Sequence, residues 1–220
     1  MKPIRFTQQV LALFIAITAS TCAFANNHEE NDPDWIWYHD FVVDNFAYYI
    51  IPNSPVPAVA IIEAYGHSGH IDVPAYVTHN DTTYEVTTLG TGYSGFRDCR
   101  DLTSVYIPKE IKMINNNPFR ECPNLTNISV DPENKYYDSR GLCHALVTSP
   151  DNPYEEPNML VAACKNTTIP NDVEVIGVEA FYQCHYNLKH VIIPNSVTTI
   201  RRSAFNGCNQ LSTLVIGEGV

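Results

Sequence analysis

The sequence is poor in positive charge and in long apolar runs. It carries 13 Lys and Arg residues against 24 Asp and Glu residues, a net charge of −11. Nucleic acids and anionic membranes attract clusters of basic side chains, so this charge balance argues against both as partners. Beyond residue 25 no apolar run reaches the roughly 20 residues of a membrane-spanning helix, so we expect no membrane span there.

Motifs that carry chemistry are also missing. The cysteines are never spaced as C-x-x-C, which argues against a zinc site. Tyr93-Ser94-Gly95 lacks the glycine frame of a nucleophile elbow, and neither a phosphate loop nor an interpretable carboxylate pair occurs. His67, His70 and Asp72 are better explained as polar turn residues than as metal ligands. The sequence therefore predicts no enzyme activity, no cofactor and no metal.

Residues 1–25 have the layout of a secretory signal peptide. Lys2 and Arg5 precede a ten-residue apolar stretch, and Ala23-Phe24-Ala25 forms a small-x-small cleavage site. Lipid attachment at Cys22 is a less favoured alternative, because the residue before it fits a lipobox poorly. Without this segment 11 basic and 24 acidic residues remain, a net charge of −13. We expect an exported protein, secreted or held at the cell surface.

An internal repeat occupies most of the remaining chain. Four segments place a phenylalanine, a cysteine, a leucine and two aliphatic residues at nearly the same offsets: GFRDCRDLTSVYI (95–107), PFRECPNLTNISV (118–130), AFYQCHYNLKHVII (180–193) and AFNGCNQLSTLVI (204–216). Each follows an aliphatic lead-in of the form V-x-x-I, and neighbouring phenylalanines lie 23 or 24 residues apart. Because the polar residues between them vary, the repeated residues are predicted to fill one interior position in successive turns of a coil.

The last part of each copy, L-x-x-V-x-I, alternates like a strand with one buried face. A single unit cannot bury its apolar side, whereas stacked units can. The sequence thus predicts a mostly β leucine-rich repeat solenoid with short strands and little helix. Its array is expected to span 86–220, with a hairpin insert at 131–172 and units at about 86–110, 111–130, 173–196 and 197–220.

The segments before and inside the array are also expected to be ordered by turns. Residues 26–40 are polar and acidic, which predicts a loose tether. Residues 41–85 hold apolar stretches separated by turn signals, which predicts two successive hairpins that cap the first strand's open edge. In the insert, LCHALVTS (142–149) and MLVAACKN (159–166) flank a proline-rich tip, so a hairpin is predicted there and the array is expected to continue across it.

The repeat resembles the BspA-like leucine-rich repeat family of secreted bacterial surface proteins. The matching residues are Ile176-Gly177, Ala180-Phe181, Cys184, Leu188, Val191 and Ile193-Pro194-Asn195-Ser196, with Ile200, Ala204-Phe205, Cys208, Leu211, Leu214 and Ile216 in the next copy. Asn115, Pro118 and Arg201 depart from the pattern, but they fall in turns. The resemblance implies non-enzymatic recognition through adhesion to host matrix proteins or to other cells. A glycan-binding accessory protein of a surface uptake complex is the alternative.

The outward residues of the L-x-x-V-x-I strands are the candidate ligand-binding surface, because solenoids bind through such extended faces. These residues are Ser104, Tyr106, Asn127, Ser129, His190, Ile192, Thr213 and Val215. Tyr106, Ile192 and Val215 are expected to be exposed apolar residues in register. Side chains of this type also simply favour strand positions, so the sequence leaves both explanations open.

The six cysteines beyond the signal peptide form two groups. Those at the repeat position are expected to be buried thiols rather than disulfides between neighbouring coils: Cys99, Cys122, Cys184 and Cys208. Cys143 and Cys164 lie on the predicted hairpin strands of the insert and are the better disulfide candidates.

Residues 216–220 look like the link into a further unit. Terminal repeats normally carry a polar cap, and without one the strand at 211–216 would expose an unpaired edge and an apolar end. We therefore expect either that the sequence is a piece of a longer array or that the chain self-associates end to end.

Overall fold

A computed structural model describes residues 39–90, 95–96, 99–182 and 188–220. In these ranges the chain is nearly all sheet, with 2% helix, and winds into a solenoid of about six turns, which confirms the predicted fold. The predicted signal peptide and most of the tether lie outside the described residues. The strands are β1 (Phe41–Val43), β2 (Phe46–Ile50), β3 (Ala58–Ala64), β4 (Gly69–Asp72), β5 (Tyr76–His79), β6 (Thr82–Leu89), β7 (Leu102–Ile107), β8 (Met113–Ile114), β9 (Asn127–Val130), β10 (Tyr137–Asp138), β11 (Leu146–Thr148), β12 (Met159–Ala162), β13 (Val175–Ile176), β14 (His190–Ile193), β15 (Thr199–Ile200) and β16 (Thr213–Ile216). A 3-10 turn spans Arg140–Leu142.

Two ladders of parallel strands run along the solenoid. The lead-ins form the first ladder, as β3–β6–β8 before the insert and β12–β13–β15 after it. The L-x-x-V-x-I segments form the second, as β4–β7–β9 and then β14–β16. Because β12 comes from the insert, the insert itself supplies a strand to the lead-in ladder.

The repeated apolar residues line the interior, as the pattern predicted. Phe96, Phe119 and Phe181 are buried, and Phe205 is half-buried. The ring centroids of Phe96 and Phe119 are 5.5 Å apart, and those of Phe181 and Phe205 are 4.8 Å apart and stacked. Contacts of this kind favour aromatic side chains at this position in every turn.

The segment before the array contains the two predicted hairpins and further strand pairing. Antiparallel β2–β3 and β5–β6 pairs are present, and Asn80-Asp81 turns between β5 and β6. Asp44-Asn45 makes a further hairpin between β1 and β2, with φ of 50° and 62°. Positive φ at both central residues is typical of a type I′ turn. Parallel pairing is added to these hairpins: β4 pairs with β7, and β3 pairs with β6. The segment thus builds part of the coil.

The insert contains the antiparallel pair β11–β12, as predicted, with β10 added alongside β11. Its tip is fixed to the core by Tyr137, which is fully buried. The Tyr137 hydroxyl donates a hydrogen bond to the Glu155 carboxylate and accepts one from the Ile114 backbone N–H at 2.7 Å. Burial raises the pKa of Glu155 from its ordinary value of 4.5 to about 7, although the Tyr137 hydrogen bond opposes the shift.

This raised pKa predicts a pH-dependent stability. Between pH 4.5 and about 7 the native protein keeps a proton on Glu155 that the unfolded chain has released. The free energy of unfolding should therefore fall as the pH rises through this window. Glu155→Gln, a neutral side chain of the same shape, should flatten that dependence and be more stable than the wild type at pH 7.5. Urea titrations at pH 4.5, 6 and 7.5 measure this effect, and parallel curves for both proteins would contradict it.

The repeat cysteines donate hydrogen bonds to the preceding coil. Cys122 Sγ lies 2.9 Å from the Phe96 carbonyl oxygen, and Cys208 Sγ lies 3.1 Å from that of Phe181. Cys99 Sγ lies 3.6 Å from the carbonyl oxygen of Ala64, which belongs to the strand next to it in the coil. A cysteine fills this space as a small buried hydrophobe does, and its thiol also donates to a carbonyl group. The predicted fourth member, Cys184, lies outside the described residues.

The disulfide expected between Cys143 and Cys164 is not formed in the structure. Both are buried thiols: Cys143 Sγ donates to the Ala145 carbonyl at 3.6 Å, and Cys164 Sγ donates to that of His144 at 3.0 Å. The observed strands are shorter than predicted, so both cysteines fall beyond the paired residues of the hairpin. Burial raises the pKa of the Cys143 thiol to about 11 and raises that of Cys164 as well, which disfavours the reactive thiolate.

Candidate recognition surface

The outward strand face comprises every second side chain along β4, β7, β9, β14 and β16, on the side opposite the buried residues of β7, β9 and β14. Strand register arranges them in two rows. The first row is His70, Ser104 and Asn127 before the insert, and His190 and Thr213 after it; the second row is Asp72, Tyr106 and Ser129 before the insert, and Ile192 and Val215 after it. All eight predicted residues lie in these rows, so the sequence placed them on one face of their strands.

The part of the face before the insert is polar, and several of its side chains already form hydrogen bonds with one another or with His144. His70 Nδ1 lies 2.7 Å from Ser104 Oγ, and its Nε2 lies 3.0 Å from Asp72 Oδ1. Asn127 Oδ1 lies 2.7 Å from His144 Nδ1. Because these polar atoms already have partners, a ligand would have to replace existing hydrogen bonds to gain contacts here.

The order Ser104–His70–Asp72 has the connectivity of a hydrolytic triad, but not its surroundings. The side chains of His70 and Asp72 are 55% and 74% exposed. Strand β7 is paired on both sides, which commits its ladder N–H groups instead of aiming them at a developing oxyanion. Two features of a hydrolytic site, burial from water and free backbone N–H groups on the strand that carries the serine, are therefore not found at this group in the described part of the chain.

Tyr106 differs from its predicted role. It was expected to be an exposed apolar residue, but it is half-buried. Its hydroxyl donates a hydrogen bond to Asp131 Oδ2 at 2.8 Å, which, with burial, raises the pKa of Tyr106 to about 12. The Asp131 acceptor follows β9 directly, and no feature of the repeat pattern indicated this pairing.

The part of the face after the insert is apolar and open. Ile192 and Val215 are directly paired across β14 and β16 and are 69% and 50% exposed. They border a cavity of ≈ 560 Å³ that Pro194, Asn195 and Glu218 also line. His190 and Thr213 beside them are exposed as well. This half of the face therefore exposes apolar surface to water that a partner could cover.

A segment of the insert, 139–145, lies between the two halves. Val130 N–H donates to Ser139 Oγ at 3.2 Å, and His144 contacts Asn127, so the segment runs along the free side of β9. On its other side Thr168 N–H donates to the Cys143 carbonyl at 3.1 Å. The segment presents Leu142, which is 83% exposed. Leu142 was not among the predicted binding residues, because those belong to the repeated strands.

The two histidines considered as metal ligands, His67 and His70, have different surroundings. His67 stacks on Phe46 with ring centroids 4.2 Å apart, and burial lowers its pKa, whereas His70 belongs to the outward strand face. The described ranges hold no group of three His, Cys, Asp or Glu side chains arranged for a metal ion. The described ranges also contain no helix that is both long and apolar enough to cross a membrane.

Stacked parallel strands with these interior ladders define a leucine-rich repeat solenoid. The chain belongs to the BspA-type leucine-rich repeat family, because the model of that repeat region matches residues 78–145 and 161–220 in six copies. This confirms the resemblance noted in the sequence and adds copies to the four found there. A search of curated proteins gives no match.

Several solved structures are similar to this chain. A leucine-rich repeat protein from Eubacterium ventriosum has a TM-score of 0.50 at 20% identity. The matched region covers 67% of this chain and 42% of the Eubacterium ventriosum chain. One from Bacteroides ovatus has a TM-score of 0.47 at 25% identity, covering 81% and 41%. A leucine-rich cell surface protein from Faecalibacterium prausnitzii has a TM-score of 0.39 at 16% identity, covering 80% and 76%. This chain thus spans about two fifths of the first two, and the likeness to the first supports the fold alone.

Family membership indicates a broad functional class. Proteins with BspA-type leucine-rich repeats are generally non-enzymatic, and leucine-rich repeat domains generally mediate protein binding. The family also suggests a secreted or cell-surface location.

Proposed function

We propose that this protein is a secreted or surface-held adhesion module that binds a protein partner through its outward strand face. The observation that carries the proposal is the pair Ile192 and Val215, in register, exposed and beside an open cavity. Two aliphatic side chains fixed on adjacent strands are ordered before binding, so covering them costs little conformational entropy. Host matrix proteins and the surfaces of other cells are the partners that the family resemblance implies.

The glycan-binding alternative has less support from this surface. Sugars are commonly held by an exposed aromatic ring against their apolar face, with polar side chains around the rim. In the described part of the outward strand face the aromatic side chain is Tyr106, which is half-buried and hydrogen-bonded to Asp131. An oligosaccharide that raises the melting temperature of the chain would favour this alternative.

Replacing both exposed aliphatics should weaken binding without unfolding the protein. Ile192→Ser with Val215→Ser should lower capture by an immobilised partner at least tenfold, about 1.4 kcal/mol. The melting temperature should move little, because both side chains point away from the core. Binding is measured by surface plasmon resonance against the matrix protein that captures the wild type best among collagen, laminin, fibrinogen and fibronectin.

The matched control is Asn206→Ala with Gln210→Ala, two exposed residues on the turn side of the coil. These changes should leave capture intact. If the turn-side pair loses binding while the strand-face pair retains it, recognition takes place on the turns and the proposed surface is wrong.

End-to-end self-association stays a prediction. Its support is that Leu214 and Ile216 of β16 are exposed, whereas Val191 and Ile193, their neighbours in β14, are buried. A further coil or a second molecule would cover this apolar surface equally well.

A further inference from the structure

Leu142 combines two features that a loop leucine rarely shows. Its side chain is 83% exposed, and its backbone has φ = 54°. Left-handed backbone is costly for a residue with a bulky side chain, and such strain persists only where the surroundings enforce it. Gly141 and His144 on either side also have positive φ, of 63° and 55°. The chain thus makes a tight excursion that turns Cys143 inward and Leu142 outward.

The residues around Leu142 are held firmly. Arg140 donates hydrogen bonds to Asp138, to Asp172 Oδ2 at 2.8 Å, to Asn158 and to the Thr148 carbonyl. On the other side, the His144 carbonyl accepts hydrogen bonds from Cys164 Sγ at 3.0 Å and Thr167 Oγ1 at 3.2 Å. Because both flanks are fixed by many contacts, the strained and exposed conformation of Leu142 is set before any ligand arrives.

Its position joins the two halves of the outward strand face. The segment 139–145 is bonded to β9 on one side and, through Thr168, to the stretch that leads to Asn171 on the other. Asn171 lines the same cavity as Ile192 and Val215. Leu142 therefore stands at the boundary between the polar half and the apolar half.

We propose that Leu142 is a preorganised anchor that inserts into an apolar site on a partner protein, a role that rests on the proposed recognition function. A leucine side chain offers neither a hydrogen bond nor a ring to a sugar, but it fits an apolar protein pocket. The surrounding charge specifies the partner further: Asp138 and Asp172 both pair with Arg140, and the whole chain is net acidic. The complementary segment is apolar and flanked by lysine or arginine.

The test uses the opposed effects of one substitution on stability and on binding. Asparagine accepts left-handed backbone readily, so Leu142→Asn should relieve the strain and raise the melting temperature by about 2–4 °C. The same change should weaken, at least tenfold, the binding of peptides selected on the wild-type protein from a random peptide library. Leu142→Met, which keeps an apolar side chain, should retain most of the binding.

The control is Val56→Asn, which removes another exposed aliphatic residue, 49% exposed, at a position without positive φ. It should change neither binding nor the melting temperature by a comparable amount. The inference is overturned if Leu142→Asn binds the selected peptides like the wild type, if it lowers stability, or if the library yields no binder. Loss of binding in Ile192→Ser with Val215→Ser, but not in Leu142→Asn, would preserve the proposed function and reject the anchor.

Discussion

Phe181→Ala should lower the free energy of unfolding by about 3–5 kcal/mol, which is a large share of the stability of an ordinary domain. Phe181 is fully buried and stacks on Phe205. Removing the ring forfeits the free energy gained by transferring it from water to the core. It also leaves a cavity that the ladder strands cannot collapse to fill. Phe119→Ala should cost a similar amount, because Phe119 is buried beside Phe96. Urea denaturation followed by circular dichroism measures both.

Phe205→Ala is the internal control for the ladder. Phe205 has the same repeat position and is the other ring of the stacked pair, but it is only half-buried. Its replacement should cost less, about 1–2 kcal/mol, since less area returns to water. Equal costs for Phe181 and Phe205, or a cost below about 0.5 kcal/mol for Phe181, would contradict the assignment of these rings to a buried ladder.

Breaking the ion pair between Arg120 and Glu179 should have an effect of the same size. Arg120 Nε lies 3.0 Å from Glu179 Oε2, and the two side chains are only 10% and 8% exposed. The Arg120 guanidinium also lies over the Tyr182 ring, 4.6 Å from its centroid. Glu179→Ala leaves the arginine charge buried without its counterion and should cost about 3–5 kcal/mol in urea denaturation.

A double substitution separates loss of the pair from loss of charge balance. Arg120→Met with Glu179→Met removes both charges while keeping long unbranched side chains. It should recover most of the stability lost in Glu179→Ala, because no uncompensated charge remains. A double variant as unstable as the single one would show that the packing of these side chains, rather than their charges, matters here.

The ion pair also concerns how the array crosses the insert. Arg120 belongs to the unit before residues 131–172 and Glu179 to the unit after them. Asn117 makes the same connection, since its Nδ2 donates to the carbonyls of Glu179 and Ala180 at 3.0 and 3.1 Å. The prediction that the array continues across the insert therefore acquires a physical basis in polar contacts between turns.

Most of the fold followed from periodicity. The recurrence of Phe, Cys, Leu and paired aliphatics every 23–24 residues predicted stacked parallel strands, because only stacking buries one apolar side per unit. The same alternation placed all eight candidate binding residues on the outward strand face. The Asp44-Asn45 turn carried a recognisable signal as well, since its chemistry matches that of Asn80-Asp81.

The sequence alone determined the repeat, the buried ladders and the outward direction of the face, because these depend on spacing within one unit. Only the tertiary structure decided what each outward side chain contacts, because those partners come from distant segments with no fixed spacing. Asp131 accepts a hydrogen bond from the Tyr106 hydroxyl, His144 contacts Asn127, and Leu142 is fixed in an exposed, strained conformation. The insert, which no repeat period describes, therefore sets part of the chemistry of the face.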